Sequence, residues 1–396
     1  MLQPGTFGLT LLLAMLTALG PLSMDMYLPS LPDISHVLAA PTARTQLTVS
    51  SYLIGFAVGQ MIYGPLSDRY GRRPVVLAAV ALYLTSTLAC AGAESVDLLI
   101  GARFLQGIGG SGAIVLARAI VRDLYSGVQA ARELSLMGSI SAFAPIVAPM
   151  IGGVLQTAFG WRASFIFMSG AAIVAVLVAA RLLPETMRHS RLGPMSFLSM
   201  VRGYGAVARH RGFLVYLGII TISYAGLFAW ISGASVVLQG VYGLSAVTFG
   251  FTFALGAAGY MLGATIATRL VVRLGLDRTI GVGVIVITAG GLALAAVVAA
   301  GVPGLWLVAA MALYLAGLGL AMPQAMAGAL TPFPDRAGTA ASLMGLVQQT
   351  VAAIVAAVIG GYLGQSAWPM TAVVVTMGCL TFLLWALTRR MRAQQR

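Results

Sequence analysis

Apolar residues run through this chain in stretches of about twenty, each closed by a few polar, charged or glycine-rich positions. A helix crossing the ~30 Å hydrocarbon layer of a bilayer needs about 20 such residues, so each charge-free stretch predicts one span. Single spans are predicted over Met1 to Met24, Thr45 to Ser67, Pro74 to Ala93, Leu134 to Trp161 and Ala163 to Ala180. Leu98 to Val121 gives another, interrupted by Arg103 and Arg118. Three longer runs, Gly212 to Thr268, Thr279 to Pro334 and Thr339 to Thr388, each hold two spans, broken at QGVYG (239–243), AGVPG (300–304) and GQSAWP (364–369). The pattern predicts twelve spans in an all-α membrane protein: a six-helix bundle over 1–183, a cytoplasmic linker over 184–211 and a second six-helix bundle over 212–396. The linker sequence PMSFLSMVRGYGAVARHR predicts a short amphipathic helix on the inner membrane surface.

Composition agrees with the pattern. Only 8% of the 396 residues are charged, 59% are hydrophobic and the mean hydropathy is +0.95, whereas soluble domains carry roughly 25% charged residues. The net charge of +13 comes entirely from Arg, in short clusters between apolar runs and without interleaved aromatics, so it reads as a topology signal and not as a nucleic-acid surface. With both termini placed in the cytoplasm, nineteen Arg fall in or beside inner segments, Arg44 and Arg162 near outer ones, and Arg103 and Arg118 within the fourth span. That is the asymmetry expected of cytoplasmic loops. The absence of Lys excludes a P-loop or a Schiff-base site. Cys90 and Cys379 lie in opposite halves inside apolar runs and read as packing residues, not as a disulfide or metal site. The first span lacks a positive n-region and a cleavage site, so it reads as retained and not as a signal peptide. No catalytic constellation, cofactor or metal site is expected.

The chain repeats itself. IVAPMIGGVL (146–155) and IVAAVIGGYL (354–363) agree at seven of ten positions, 208 residues apart. Gly55, Gly59, Arg69 and Gly71 recur as Gly259, Gly263, Arg273 and Gly275. Two parallel six-helix repeats predict a transporter with a site near the membrane midplane. The copies differ where it matters: Pro145 and Pro149 have Ala353 and Ala357 as counterparts, and Asp68 has Val272.

GPLSDRYGRR (64–73) places Gly64, Asp68, Arg69, Gly71, Arg72 and Arg73 between the second and third spans, where Gly71 permits a tight cytoplasmic turn. This segment resembles the GxxxDRxGRR loop signature of the major facilitator superfamily. PLSMDMYLPSLPDI (21–34) resembles the first-helix signature of the bicyclomycin and chloramphenicol resistance group. RFLQGIGG (103–110) is similar to the RxxQGxG element of drug antiporters. APIVAPMIGG (144–153) resembles their fifth-helix signature, with Ala148 in place of the usual Gly. The resemblance spans nearly the whole chain and implies a twelve-helix drug:proton antiporter. It implies that Asp68 faces the start of the eleventh helix, that Arg72 reaches Asp123, and that these contacts hold an outward-open state. It also implies that Pro145, Pro149, Gly152 and Gly153 seal the antiporter against leakage.

Proton coupling requires a group whose charge changes the balance between two conformations. His36, His189 and His210 fall in loops, and Asp25 is the acid expected inside a helix, the first running on to about Leu28. Glu94, Asp97, Asp123, Glu133, Asp277 and Asp335 are placed at helix ends or in loops. Asp25 is therefore the expected proton carrier, and Arg103, at similar depth, its cationic partner; Gln106 lies one turn further on, while Arg118 snorkels to the inner surface. Tyr27, Gln106, Tyr224, Trp230, Gln348 and Gln349 are the expected substrate-cavity residues. Apolar walls with one acid suit amphipathic drugs such as amphenicol- or bicyclomycin-like compounds. The expected partners are that drug, protons and the lipid bilayer, for a monomer in the bacterial inner membrane. An exporter of an amino acid or a sugar with the same coupling is the alternative, and a passive channel or sensor a more distant one.

Overall fold

The computed structural model describes residues 6–125, 127–141, 143–187, 197–333, 336–362 and 366–393; His189 and Asp335 lie outside them. Every regular element among these residues is helical. Eleven described helices are long and apolar enough to cross a membrane. A shorter apolar helix, Ala144–Phe159, falls within the fifth predicted span.

The chain forms two compact units, Met1–Pro194 and Met195–Arg396. The first contains α1 (Phe7–Asp25), a 3₁₀ turn (Leu28–Ser30), α2 (Leu31–Val37), α3 (Thr42–Tyr70), α4 (Arg72–Ala91), α5 (Val96–Leu124), α6 (Gly127–Ser141), α7 (Ala144–Phe159) and α8 (Arg162–Leu182). Here α5 packs against α3, α4 and α1, and α1 also contacts α6, α7 and α8. The second unit contains α9 (Phe197–Ala208), α10 (Arg211–Ser235) with a π-helical extension to Val241, α11 (Ala246–Leu274), α12 (Leu276–Ala300), α13 (Gly304–Leu330), α14 (Ala337–Tyr362), α15 (Trp368–Leu387) and α16 (Arg389–Ala393). There α13 packs against α11 and α12, and α10 against α14 and α15. The linker helix is α9, which contacts α14.

The recurring glycines explain why both halves adopt one packing. A Cβ on Gly55 would lie 2.0 Å from the Phe104 carbonyl oxygen, and one on Gly263 2.0 Å from that of Ala316. Only a residue without a side chain lets α3 approach α5, and α11 approach α13, this closely. Large apolar side chains such as Phe251, Leu255 and Leu262 are exposed, as lipid-facing positions require.

Four details depart from the sequence expectations. The first helix does not run to Leu28: its α-helical part ends at Asp25, because Pro29 and Pro32 cannot donate to a continuing ladder. The fifth span is carried by α6, which begins at Gly127, well before Leu134, and by α7, whose N-terminal Pro145 cannot donate to a preceding turn. Glu133, expected at an end or in a loop, lies inside α6 and accepts from Thr10 Oγ1 at 2.7 Å. His36, expected in a loop, sits in the last turn of α2, whereas His210 lies between α9 and α10 as the N-cap of α10 and accepts from the Phe213 amide.

Candidate functional site

Ending α1 at Asp25 leaves the last carbonyls of that helix without intrahelical partners. One of them is met from a neighbouring helix: Arg103 Nη1, on α5, donates to Ser23 O at 2.9 Å and to Gln106 Oε1 at 2.6 Å. The Gln106 amide donates in turn to Thr87 Oγ1 at 2.8 Å. The Arg103 guanidinium lies 4.3 Å from the Tyr52 ring centroid and 4.5 Å from that of Tyr27. Both rings are tethered. Tyr52 donates to Gly20 O at 3.0 Å, and Tyr27 bonds Thr48 Oγ1. Tyr83 completes the cluster through its hydroxyl contact with Ser23 Oγ at 2.6 Å.

Every side chain of this cluster is buried, Asp25 included. The ion pairs among the described residues are Arg44–Asp97, Arg72–Asp68, Arg72–Asp123 and Arg392–Asp277; Asp25 and Arg103 do not form one. Arg103 Nε and Nη2 are buried without a hydrogen-bond partner. The result is a cation, enclosed by aromatic faces and carbonyl dipoles, with unused donors and a carboxylate two residues beyond the carbonyl it holds. A buried ion costs several kcal/mol to desolvate, and cation–π contacts recover ~2 kcal/mol or more each in a dry site. Arg103 is therefore held in place but not saturated.

Gly152 presses on the same stretch. A Cβ there would fall 1.9 Å from the Met26 carbonyl oxygen, so α7 meets the break after Asp25 backbone to backbone. Pro145 starts α7 and Pro149 lies within it, buried with Gly152 and Gly153.

The loop segment forms a second, separate constellation. The turn is a single residue, Gly71, at φ +97°, since α3 runs on through Asp68, Arg69 and Tyr70. Only glycine adopts this angle readily. Arg72 bonds Asp123 at 2.8 Å and Asp68 at 2.6 Å. Glu185, beyond the end of α8, accepts from the Arg72 and Arg73 amides at 2.9 and 3.1 Å, filling the open N-terminus of α4. The Arg73 guanidinium reaches Ala180 O, Arg69 lies over the Tyr70 ring, and Gly64 O accepts from Ser67 at 2.9 Å. Arg118, on α5, is exposed.

In the second unit, Tyr224 donates to Gln349 at 3.1 Å, Trp230 is buried and Gln348 Nε2 is buried without a partner. Tyr27 and Gln106, expected in the cavity, are both in contact with Arg103. Sequence reasoning missed Ser23, Tyr52, Tyr83 and Glu185. Tyr52 carries the one usable signal, an aromatic on the helix whose Gly55 and Gly59 bring it against α5.

The sequence profile described as Major Facilitator Superfamily matches residues 13–356. The chain belongs to the major facilitator superfamily. It is a multi-pass membrane transporter. Among its relatives in this superfamily, Multidrug resistance protein D of Escherichia coli (strain K12) is 32% identical over 380 residues, 96% of this chain and 95% of that one. The bicyclomycin resistance protein homolog of Haemophilus influenzae is 30% identical over 377 residues, covering 95% and 94%. Solved structures with the same fold include a D-xylose-proton symporter (TM-score 0.77, 18% identity, covering 96% of this chain and 97% of that one). Another is a POT family transporter in complex with 5-aminolevulinic acid (TM-score 0.80, 11% identity, covering 99% and 98%). At such identities these two bear on the fold alone.

Proposed function

We propose that this major facilitator transporter exports amphipathic small molecules, of the amphenicol- or bicyclomycin-like kind, in exchange for protons. The observation that carries the reading is the buried, counter-ion-free Arg103 beside the break that presents Asp25. A carboxylate in a dry site favours its neutral form unless a cation is near. In this reading Asp25 carries the proton while Arg103 rests against Tyr27 and Tyr52. Loss of the proton leaves a carboxylate for which the free Nε and Nη2 of Arg103 are the natural partners. Two charge states with two partner arrangements give a proton a means of biasing conformation.

The drug reading is supported by the names of the relatives, one for multidrug and one for bicyclomycin resistance, each alignable along nearly all of this chain. It also agrees with a site built of aromatic faces, one acid and one cation. In this reading the protein works as a monomer in the bacterial inner membrane with both termini cytoplasmic, the orientation that puts nineteen of its Arg inside.

Proton release from energised inside-out vesicles on addition of amphenicols, bicyclomycin and dyes tests the reading, with Asp25→Asn alongside the wild type. Release by the wild type that vanishes in Asp25→Asn is expected. Release that persists in Asp25→Asn removes the proton from this residue, and no response to any drug shifts the substrate to an amino acid or sugar.

A further inference from the structure

Arg103 has a reason to stay where it is when Asp25 is neutral. Its guanidinium sits within ~6 Å of two ring centroids, the range in which a cation is drawn to an aromatic face. The two rings differ in mounting. Tyr27 lies in the turn after Asp25, with its hydroxyl bonded to Thr48 Oγ1 on α3. Tyr52 stands in the middle of the 29-residue α3. Its hydroxyl is fixed to Gly20 O at 3.0 Å, and its backbone is pressed against α5 so closely that a Cβ on Gly107 would lie 2.1 Å from Tyr52 O. Gly55 and Gly59 hold α3 against α5 by contacts of the same kind. The Tyr52 face is thus a fixed part of the framework that carries Arg103.

The other groups near Arg103 do not compete for it as anions. Tyr27 comes from the α1 break, Tyr83 and Cys90 from α4, and Gln106 from α5 itself. Of the remaining helices packed against α1, α7 has no charged residue and α8 has Arg162 and Arg181 near its ends. On α6, Arg132 is exposed and Glu133 is bonded to Thr10, fifteen residues before Asp25 on α1. The contest for the cation lies between the rings and Asp25.

We propose that Tyr52 is a positioning residue that holds Arg103 off Asp25 and thereby sets the proton concentration at which this site loses its proton. The proposal rests on the reading of Asp25 as proton carrier. The ring stabilises the arrangement in which Asp25 is protonated and Arg103 is parked. Without the ring that arrangement is weakened, the carboxylate gains the cation more readily, and the proton leaves at more acid pH.

The test needs no drug. The infrared carbonyl band of the protonated Asp25 carboxyl, identified as the band missing from Asp25→Asn, is titrated in the full-length protein in lipid nanodiscs. In Tyr52→Met the midpoint is expected to move to more acid pH by about one unit, tenfold in proton concentration, the scale set by a desolvated cation–π contact. Tyr52→Phe keeps the face and is expected to titrate near the wild type. Because a truncated side chain can disturb folding, a second series places phenylalanines of increasing ring fluorination at position 52. This weakens the negative face at nearly constant shape, and the midpoint is expected to fall step by step. A midpoint that does not move in these variants, or moves to more alkaline pH, overturns the positioning role and leaves Asp25 as the carrier. A set of carboxyl bands unchanged in Asp25→Asn overturns the carrier reading, and the Tyr52 proposal with it.

Discussion

Gly152 on α7 meets Met26 backbone to backbone: a Cβ on Gly152 would stand 1.9 Å from the Met26 carbonyl oxygen, and the residue before Met26 is Asp25. The obstacle is main chain, which cannot rotate aside as a side chain can. Gly152→Ala is therefore expected to displace the segment carrying Asp25, lowering stability by about 1–3 kcal/mol, as overpacking does, and reducing drug-induced proton release. Gly170→Ala on α8, where a Cβ would meet nothing within 4 Å, is the control and is expected to be neutral. Thermal unfolding of both variants in detergent, followed by the vesicle assay, checks the pair.

Glu185 caps a helix that begins more than a hundred residues before it. Its carboxylate accepts from the amides of Arg72, Arg73, Thr186 and Met187 at 2.9 to 3.1 Å. The side chain is exposed, so its charge is screened and the capping bonds carry its effect. Glu185→Ala is expected to cost about 1 kcal/mol, the usual value of a lost N-terminal cap, and Glu185→Gln less, since an amide oxygen still accepts. Unfolding midpoints of the purified variants measure both. Equal stability of Glu185→Ala and wild type is the outcome that contradicts the capping account.

How far the sequence carried the fold depends on what each feature advertises. Runs of twenty apolar residues mark spans whatever their surroundings, so the crossings and the polar joints between them were legible. A break inside an apolar run leaves hydropathy unchanged; Pro29 and Pro32 were the local marks of the break after Asp25, and Pro145 of the start of α7. Asp25 and Arg103 stood out because charge is rare in this chain. Their separation did not, because it depends on how Tyr27, Tyr52 and the Ser23 carbonyl surround the guanidinium. Glu185 carried no local signal at all, since its partners are the amides of Arg72 and Arg73, far away in the chain.

Glu133 is a second carboxylate inside a helix, and its setting differs from that of Asp25. It is half-buried on α6 and accepts from Thr10, four residues into α1. A hydrogen bond to a charged acceptor is worth about 1.5–3 kcal/mol when sheltered and less where water competes. Glu133→Gln is therefore expected to lower stability by about 1 kcal/mol and to keep drug-induced proton release, in contrast to Asp25→Asn. Release abolished by Glu133→Gln, with the protein still folded, would move the proton site to the other end of α1.

Arg103→Lys keeps the charge and changes the geometry. The guanidinium carbon lies 4.5 and 4.3 Å from the ring centroids of Tyr27 and Tyr52 while one nitrogen bonds both Ser23 O and Gln106 Oε1. An ammonium is a compact, strongly hydrated point charge without a planar fork. It cannot span the two tyrosine faces, reach both oxygens and keep further donors free for Asp25. The variant is expected to fold, since a cation remains beside the Ser23 carbonyl, and to lose tenfold or more of the initial rate of drug-induced proton release. Substituting Arg162 by Lys, at the start of α8 where one nitrogen bonds Ala93 O, is expected to leave that rate within about twofold. Rates from vesicles containing equal amounts of each protein decide the matter. An Arg103→Lys rate equal to that of the wild type would mean that charge alone suffices and that the planar guanidinium plays no part.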